Sequence, residues 1–342
     1  MKDPERRGSV PTGVILIIVI VGLLILAAGL AAILIYSRAL RTAYRIFARP
    51  APRPPYDKSP LTIDQNTIYG RGQNWFYSNR MNVLDWQITA YDDVKLYAYF
   101  IPAAKKTTKD VVILLHGYNE HPSIMAAYAQ LHLEKRDCHI LIPHLRAHGM
   151  SGGKFVGYGL FDSQDIVMWM QYLEARLGPD LEIILHGHSM GAATAIMTAG
   201  SGIAPDSLAG IIADSSFDSL DKLLAYLEQR NHKISMRPFL MLVSSIALKR
   251  FGFPIEKDSP ESVAANIRVP VLLFHGTDDS LVPSYMSENI YDRIRAPKRI
   301  CLMEGAKHCN AYNDAPEKYS TEIDRFRDSI SDSEWQRMIG KA

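Results

Sequence analysis

The stretch Leu181-Glu182-Ile183-Ile184-Leu185-His186-Gly187-His188-Ser189-Met190-Gly191-Ala192-Ala193-Thr194-Ala195 decides the fold. It opens on an apolar run of buried-strand type, passes through a serine set between two glycines, and continues into small residues that favour a helix. The pentapeptide Gly187-His188-Ser189-Met190-Gly191 alone carries little weight, since a chain of this glycine and serine content produces the Gly-x-Ser-x-Gly pattern by chance about one time in ten. Its meaning comes from the order of strand, sharp turn and helix. Such a turn holds its serine in a strained conformation, and glycines on both flanks let strand and helix approach without a Cβ clash.

Outward from this point the pattern alternates between short apolar runs and helix-like segments, which predicts an α/β domain with a largely parallel sheet. Asp85 to Ala90 and Lys95 to Ile101, around Tyr91-Asp92-Asp93, read as an antiparallel hairpin. Val111–Leu115, His139–Ile142, Leu181–Leu185, Gly210–Ala213, Val271–Phe274 and Arg299–Met303 read as buried strands. Met125–Glu134, Phe161–Leu177, Gly191–Gly200 and Met286–Ile294 read as helices between them. The segment 218–264 breaks the alternation. It is long, helix-like, rich in Leu, Met and Phe and interrupted by Pro238 and Pro254, and is expected to be a helical lid, against the plainer reading of ordinary helices packed on the sheet.

A serine hydroxyl is a poor nucleophile at neutral pH, so the turn matters only if a base and an orienting acid follow it. Val271 to Phe274 leads into His275-Gly276-Thr277-Asp278-Asp279-Ser280-Leu281-Val282-Pro283, placing two carboxylates in the loop after a strand. Arg299 to Met303 leads into Glu304-Gly305-Ala306-Lys307-His308. In an open α/β sheet these loops converge at the carboxyl ends of the strands, where ligands bind. Ser189 as nucleophile, His308 as general base and Asp279 or Asp278 as acid are the candidate catalytic residues.

Taken together these motifs resemble the α/β-hydrolase superfamily, and within it bacterial hydrolases with an N-terminal membrane segment related to the bile-acid acyltransferase and prolyl-oligopeptidase-like groups. The resemblance spans residues 85 to about 328. It implies the α/β-hydrolase fold, with a mostly parallel eight-stranded sheet flanked by helices, and a hydrolase domain over 61–342. In the family's His-Gly-x-x-Asp-x-x-Val-Pro pattern the acid falls on Asp279. The donor after the strand-ending His116-Gly117 falls on Tyr118, whose backbone N–H would share an oxyanion with that of Met190. Leu145 to Gly153 resembles a supporting loop of the family, with His144 standing where an aspartate is usual. The implied activity is hydrolysis of carboxylic or acyl esters, small or lipid-like, through an acyl-enzyme without a cofactor. Peptide hydrolysis and acyl transfer are rivals within the same chemistry, and a catalytically silent binding protein is the rival outside it. A serine at the elbow excludes the aspartate-nucleophile chemistries of this fold.

The 342 residues are 47% hydrophobic, enough for a sizeable core. With 38 basic and 36 acidic side chains the net charge is only +2, so no broad basic field recruits nucleic acid. Cys138, Cys301 and Cys309 form no CxxC pair, and neither disulfides nor a zinc site are expected. Most of the eleven histidines, His116, His186 and His275 among them, read as structural. No spacing calls for a catalytic metal. Val14 to Tyr36, 23 uncharged residues behind a tail of 1–13, is long enough to cross a bilayer and longer than a cleaved signal's apolar core. A single-pass cell-membrane anchor is expected, followed by a basic, proline-rich linker over 37–60, of which Ser37 to Phe47 reads as a basic continuation of the helix that the prolines from Pro50 onward end. Arginines at 38, 41, 45, 49 and 53 favour a cytoplasmic catalytic domain, whereas Lys2, Arg6 and Arg7 favour the opposite. The charges do not decide the side.

Overall fold

Helix α1 (Thr12–Phe47) runs unbroken for 36 residues because no proline or polar cluster interrupts it. The computed structural model describes residues 11–48, 64–105, 107–232, 237–255 and 258–330. The aliphatic side chains of 14–35 are exposed, which makes α1 a helix long and apolar enough to cross a membrane. Its last turns behave differently. Ala39, Ala43 and Phe47, four residues apart and so on one face, are fully buried. The stretch expected as a linker therefore divides: 37–47 is helix packed against the rest of the molecule, and 49–60, with the prolines, lies outside the described residues, as does most of the 1–13 tail.

Eight strands follow: β1 (Leu84–Thr89), β2 (Lys95–Ile101), β3 (Asp110–Leu115), β4 (His139–Pro143), β5 (Glu182–His188), β6 (Leu208–Asp214), β7 (Val271–Gly276) and β8 (Lys298–Met303). They form one sheet in the order β1-β2-β4-β3-β5-β6-β7-β8. The hairpin of β1 and β2 is antiparallel, as is the pairing of β2 with β4, and the remaining strands are parallel. Each predicted strand is present, Lys95–Ile101 with the same boundaries and the others with ends shifted by at most three residues. The remaining helices are α2 (Ile68–Ser78), α3 (Ala126–Lys135), α4 (Asp162–Leu177), α5 (Met190–Gly200), α6 (Leu220–His232), α7 (Arg237–Phe251), α8 (Pro260–Val263), α9 (Tyr285–Arg293), α10 (Ala311–Asp314) and α11 (Pro316–Ile330).

Alternate residues of each strand feed two cores. Ile113, Leu115, Ile183, Leu185, Ile211, Ala213 and Leu273 face α4, α5 and α9, while Val112, Leu114, Ile184, Ile212, Leu272 and Phe274 face α2, α3 and α11. Cys138 and Cys301 are buried among the second set as small apolar residues. From β3 the chain turns to β4 on one side and then to β5 on the other. The switch point lies between β3 and β5, where the two following loops part and leave a crevice.

Two buried clusters stand apart from the sheet cores. Phe217, Leu220, Leu223, Phe253 and Ile255 gather around Phe47, and Phe239, Val243 and Ile246 of α7 pack on Ala39 and Ala43 of α1. Arg38 lies over the Phe239 ring and Tyr44 packs edge-on against Phe251, so α1 and α7 run side by side in the same direction. Of the 218–264 segment, 233–236 and 256–257 lie outside the described residues. The apolar face of α7 is turned to α1.

Candidate active site

Ser189 sits in the turn between β5 and α5 at φ +52°, ψ −120°, a conformation that costs a non-glycine residue about 1–3 kcal/mol. The surroundings hold it there. Its N–H donates to the Asp214 carbonyl at 2.8 Å, and its carbonyl accepts from Ala193 N–H at 3.1 Å. A methyl group at Gly191 would lie 2.0 Å from the Leu115 carbonyl oxygen and one at Gly187 would lie 2.2 Å from that of Gly191, so only glycine fits either side of the turn.

His308 lies in the loop after β8 and faces Ser189. Its Nε2 is 2.9 Å from Ser189 Oγ, and its Nδ1 is 2.6 Å from Asp279 Oδ2. A carboxylate only accepts, so Nδ1 carries the proton and Nε2 is left to accept from the serine hydroxyl. Asp279 is buried in the loop after β7, and Asp278 beside it is exposed. Asp279 Oδ1 accepts from the N–H groups of Leu281 and Val282 at 2.9 and 2.8 Å. Burial pushes its pKa up, but bonds to His275 and His308 outweigh this and hold the carboxyl well below the usual carboxylate range.

The loop after β3 closes the other side. A methyl group built on Gly117 would lie 3.4 Å from the Ser189 Cβ, so this loop abuts the serine. Gly117 N–H donates to Glu120 Oε2 at 2.7 Å, and Asn119 N–H donates to His148 Nε2 at 2.9 Å. Between them the Tyr118 amide, like that of Met190 across the crevice, has no partner among the described residues. His144 accepts from Met150 N–H at 2.9 Å through Nδ1. Burial pushes its pKa down to about 3, so a neutral imidazole takes the amide.

Three residues in this region carry roles that sequence reasoning missed. His275 places Nε2 2.8 Å from the Val282 carbonyl and 3.2 Å from Asp279 Oδ2, and so buttresses the acid. Glu120 meets His188 Nε2 at 2.5 Å and joins the β3 loop to the serine turn. Burial lowers the His188 pKa, yet the Glu120 charge overrides it and raises the group above its ordinary value. Tyr69, on α2, donates to the carbonyl of Cys309, whose own N–H donates to Ser215 Oγ, so the backbone beside His308 is pinned from both sides. A lone glutamate and a tyrosine 240 residues from its partner leave no local pattern to read.

The sequence profile of the family described as Serine aminopeptidase, S33, matches residues 106–247. The uncharacterized protein YqkD of Bacillus subtilis (strain 168) is 30% identical over 248 residues, 72% of this chain and 81% of that one. The esterase PF2001 of Pyrococcus furiosus superposes with a TM-score of 0.57 at 24% identity, over 71% of this chain and 89% of the esterase. The esterase EaEST of Exiguobacterium antarcticum superposes with a TM-score of 0.53 at 18% identity, over 71% of this chain and 99% of the esterase. At these identities the two superpositions speak for the fold.

Proposed function

Because the chain belongs to the α/β-hydrolase superfamily, we propose that it is a serine hydrolase acting through Ser189, His308 and Asp279 on carboxylic or acyl esters. The observation that carries this reading is His308 spanning the two other groups, 2.9 Å from Ser189 Oγ and 2.6 Å from Asp279 Oδ2. Ser189 Oγ attacks the ester carbonyl carbon as its proton passes to His308 Nε2. The oxyanion forms between the Tyr118 and Met190 amides. His308 then gives the proton to the departing alcohol, and water repeats the sequence to release the acid and free Ser189. Asp279, held ionised, stabilises the imidazolium and fixes the tautomer of His308.

Ester hydrolysis is the first reading because the two solved structures are described as esterases. Amide hydrolysis is the second, favoured by the serine aminopeptidase description of the matching family. Helix α1 serves as an uncleaved single-pass anchor, supported by an exposed apolar run with a mean hydropathy of 3.3 over its most apolar window. A fluorophosphonate probe followed by peptide mapping tests the nucleophile: label on Ser189 is expected, and none on a folded protein would leave a silent binding protein. Parallel assays with 4-nitrophenyl acyl esters and aminoacyl anilides separate esterase from peptidase, and protease protection in sealed vesicles gives the side of the membrane.

A further inference from the structure

The last four carbonyls of an α-helix have no partner within it and must find donors elsewhere. In α1 these belong to Tyr44, Arg45, Ile46 and Phe47. Tyr44 O accepts from Ala48 N–H at 3.0 Å, within the same segment. The other three are taken by the loops that follow β3 and β4. Tyr118 Oη donates to Arg45 O at 3.1 Å, Tyr158 Oη to Ile46 O at 2.9 Å, and Val156 N–H to Phe47 O at 2.8 Å. The two tyrosine rings lie stacked, with centroids 5.5 Å apart and planes within 16°, and Tyr158 also packs edge-on against Phe47.

Tyr118 is thus tied at both ends. Its backbone amide lies between two amides that are already paired, those of Gly117 and Asn119, and is the one of the three without a partner among the described residues. Its side chain has two soft torsions, and the Arg45 carbonyl fixes the far end of the ring. We propose that the last turn of α1 is a positioning element of the active site, setting the direction of the Tyr118 amide through the Tyr118 and Tyr158 hydroxyls. This rests on the reading of Ser189 as nucleophile and Tyr118 as oxyanion donor. The helix that spans the bilayer then regulates the site directly. Ala39, Ala43 and Phe47 lock it to α7 and the neighbouring loops, so a force on the anchor reaches the oxyanion loop through packed side chains and hydrogen bonds.

The test uses the full chain in lipid nanodiscs, with Tyr118→Phe and Tyr158→Phe, which keep both rings and remove one hydroxyl each. Deleting an oxyanion donor outright costs about 10²–10³ in kcat, and a donor only loosened costs less. Each variant is expected to lose about 10- to 100-fold in kcat on a short soluble ester, with KM within about twofold. Affinity for an alkyl boronic acid, whose tetrahedral oxygen occupies the oxyanion position, should fall by the same factor. Because the hydroxyls hold one stack, the double variant should lose little more than the worse single one. A third variant, Ala43→Val, crowds the seam without touching the loop and should move kcat and boronate affinity the same way. Folded variants with kcat within twofold of wild type, or a fall in kcat with boronate affinity unchanged, would overturn the inference. A wild-type chain that takes no fluorophosphonate at Ser189 would remove the hydrolase reading and this inference with it, whereas a labelled wild type with unaffected variants removes this inference alone.

Discussion

Asn at position 279 reverses a hydrogen-bonding pattern that leaves no tolerance. Asp279 Oδ1 accepts from two backbone amides and Oδ2 from His308, with His275 alongside. An asparagine can keep its oxygen on only one side. With the oxygen toward Leu281 and Val282, the NH2 group faces His308 Nδ1, which must then accept, and the ring proton moves to Nε2 and points at Ser189. Restoring the productive tautomer leaves a buried donor facing a donor, at about 1–3 kcal/mol. The imidazolium formed during attack also loses its carboxylate partner, a charge-assisted bond worth about 1.5–3 kcal/mol. The sum, about 2.5–6 kcal/mol, is about two to four orders of magnitude in kcat at about 1.4 kcal/mol per decade. The exposed Asp278 takes no part, and Asp278→Asn should change kcat by less than about threefold. Steady-state hydrolysis of a short 4-nitrophenyl ester, with thermal unfolding to confirm the fold, measures both. Asp279→Asn within tenfold of wild type, or Asp278→Asn the more damaging, would refute the reasoning.

Ser189→Ala or His308→Ala should each lower turnover by about four to six orders of magnitude with the melting curve little changed, checked by long-time hydrolysis assays. Phe239→Ser, on α7 and buried against α1, should destabilise by about 3 kcal/mol in denaturant unfolding, whereas Met241→Ser, exposed on α7, should stay within about 0.5 kcal/mol. Asp279, with its pKa depressed on folding, contributes stability that is present above the carboxylate range and lost as pH falls through it. Unfolding midpoints of wild type should therefore drop more steeply below about pH 4 than those of Asp279→Asn. His188 has the opposite sign. Its raised pKa contributes stability that is full at acid pH and lost as pH rises through the raised value, a dependence that Glu120→Gln should remove from the unfolding profile on the alkaline side.

The inner strands β3 to β7 were legible because they are buried on both faces and appear as nearly unbroken apolar runs. The serine turn and its partners were legible for a related reason: each stands just past such a run, so ordering the strands also orders the loops. Helices at the periphery were harder. Over 68–78, where the sequence pattern gave no element, Gly70 and Gly72 weaken the helical signal, yet a methyl group on Gly72 would lie 2.6 Å from the Ala127 Cα, and the glycine is there to let α2 close on α3. In α11 only Tyr319, Ile323 and Phe326 mark the buried stripe in a polar sequence, too few to stand out. The docking of α1 left no trace, because Ala39 and Ala43 are small residues scattered among arginines and Phe47 stands just before the prolines. Its partners on α7 looked instead like the inner face of a lid.

The seam between α1 and α7 joins parts of the chain made far apart in time. Phe47 leaves the ribosome about two hundred residues ahead of Phe251 and Phe253, the rings that cover it. At about 5–20 residues per second, the apolar face at Ala39, Ala43 and Phe47 waits on the order of ten seconds or more for its cover. By then β1 to β6 have been made, and the strands could pair before the anchor is docked. The seam thus closes long after its first half is made, and until it does an exposed apolar stripe lies beside a nascent sheet, the kind of surface that chaperones hold and that aggregation exploits.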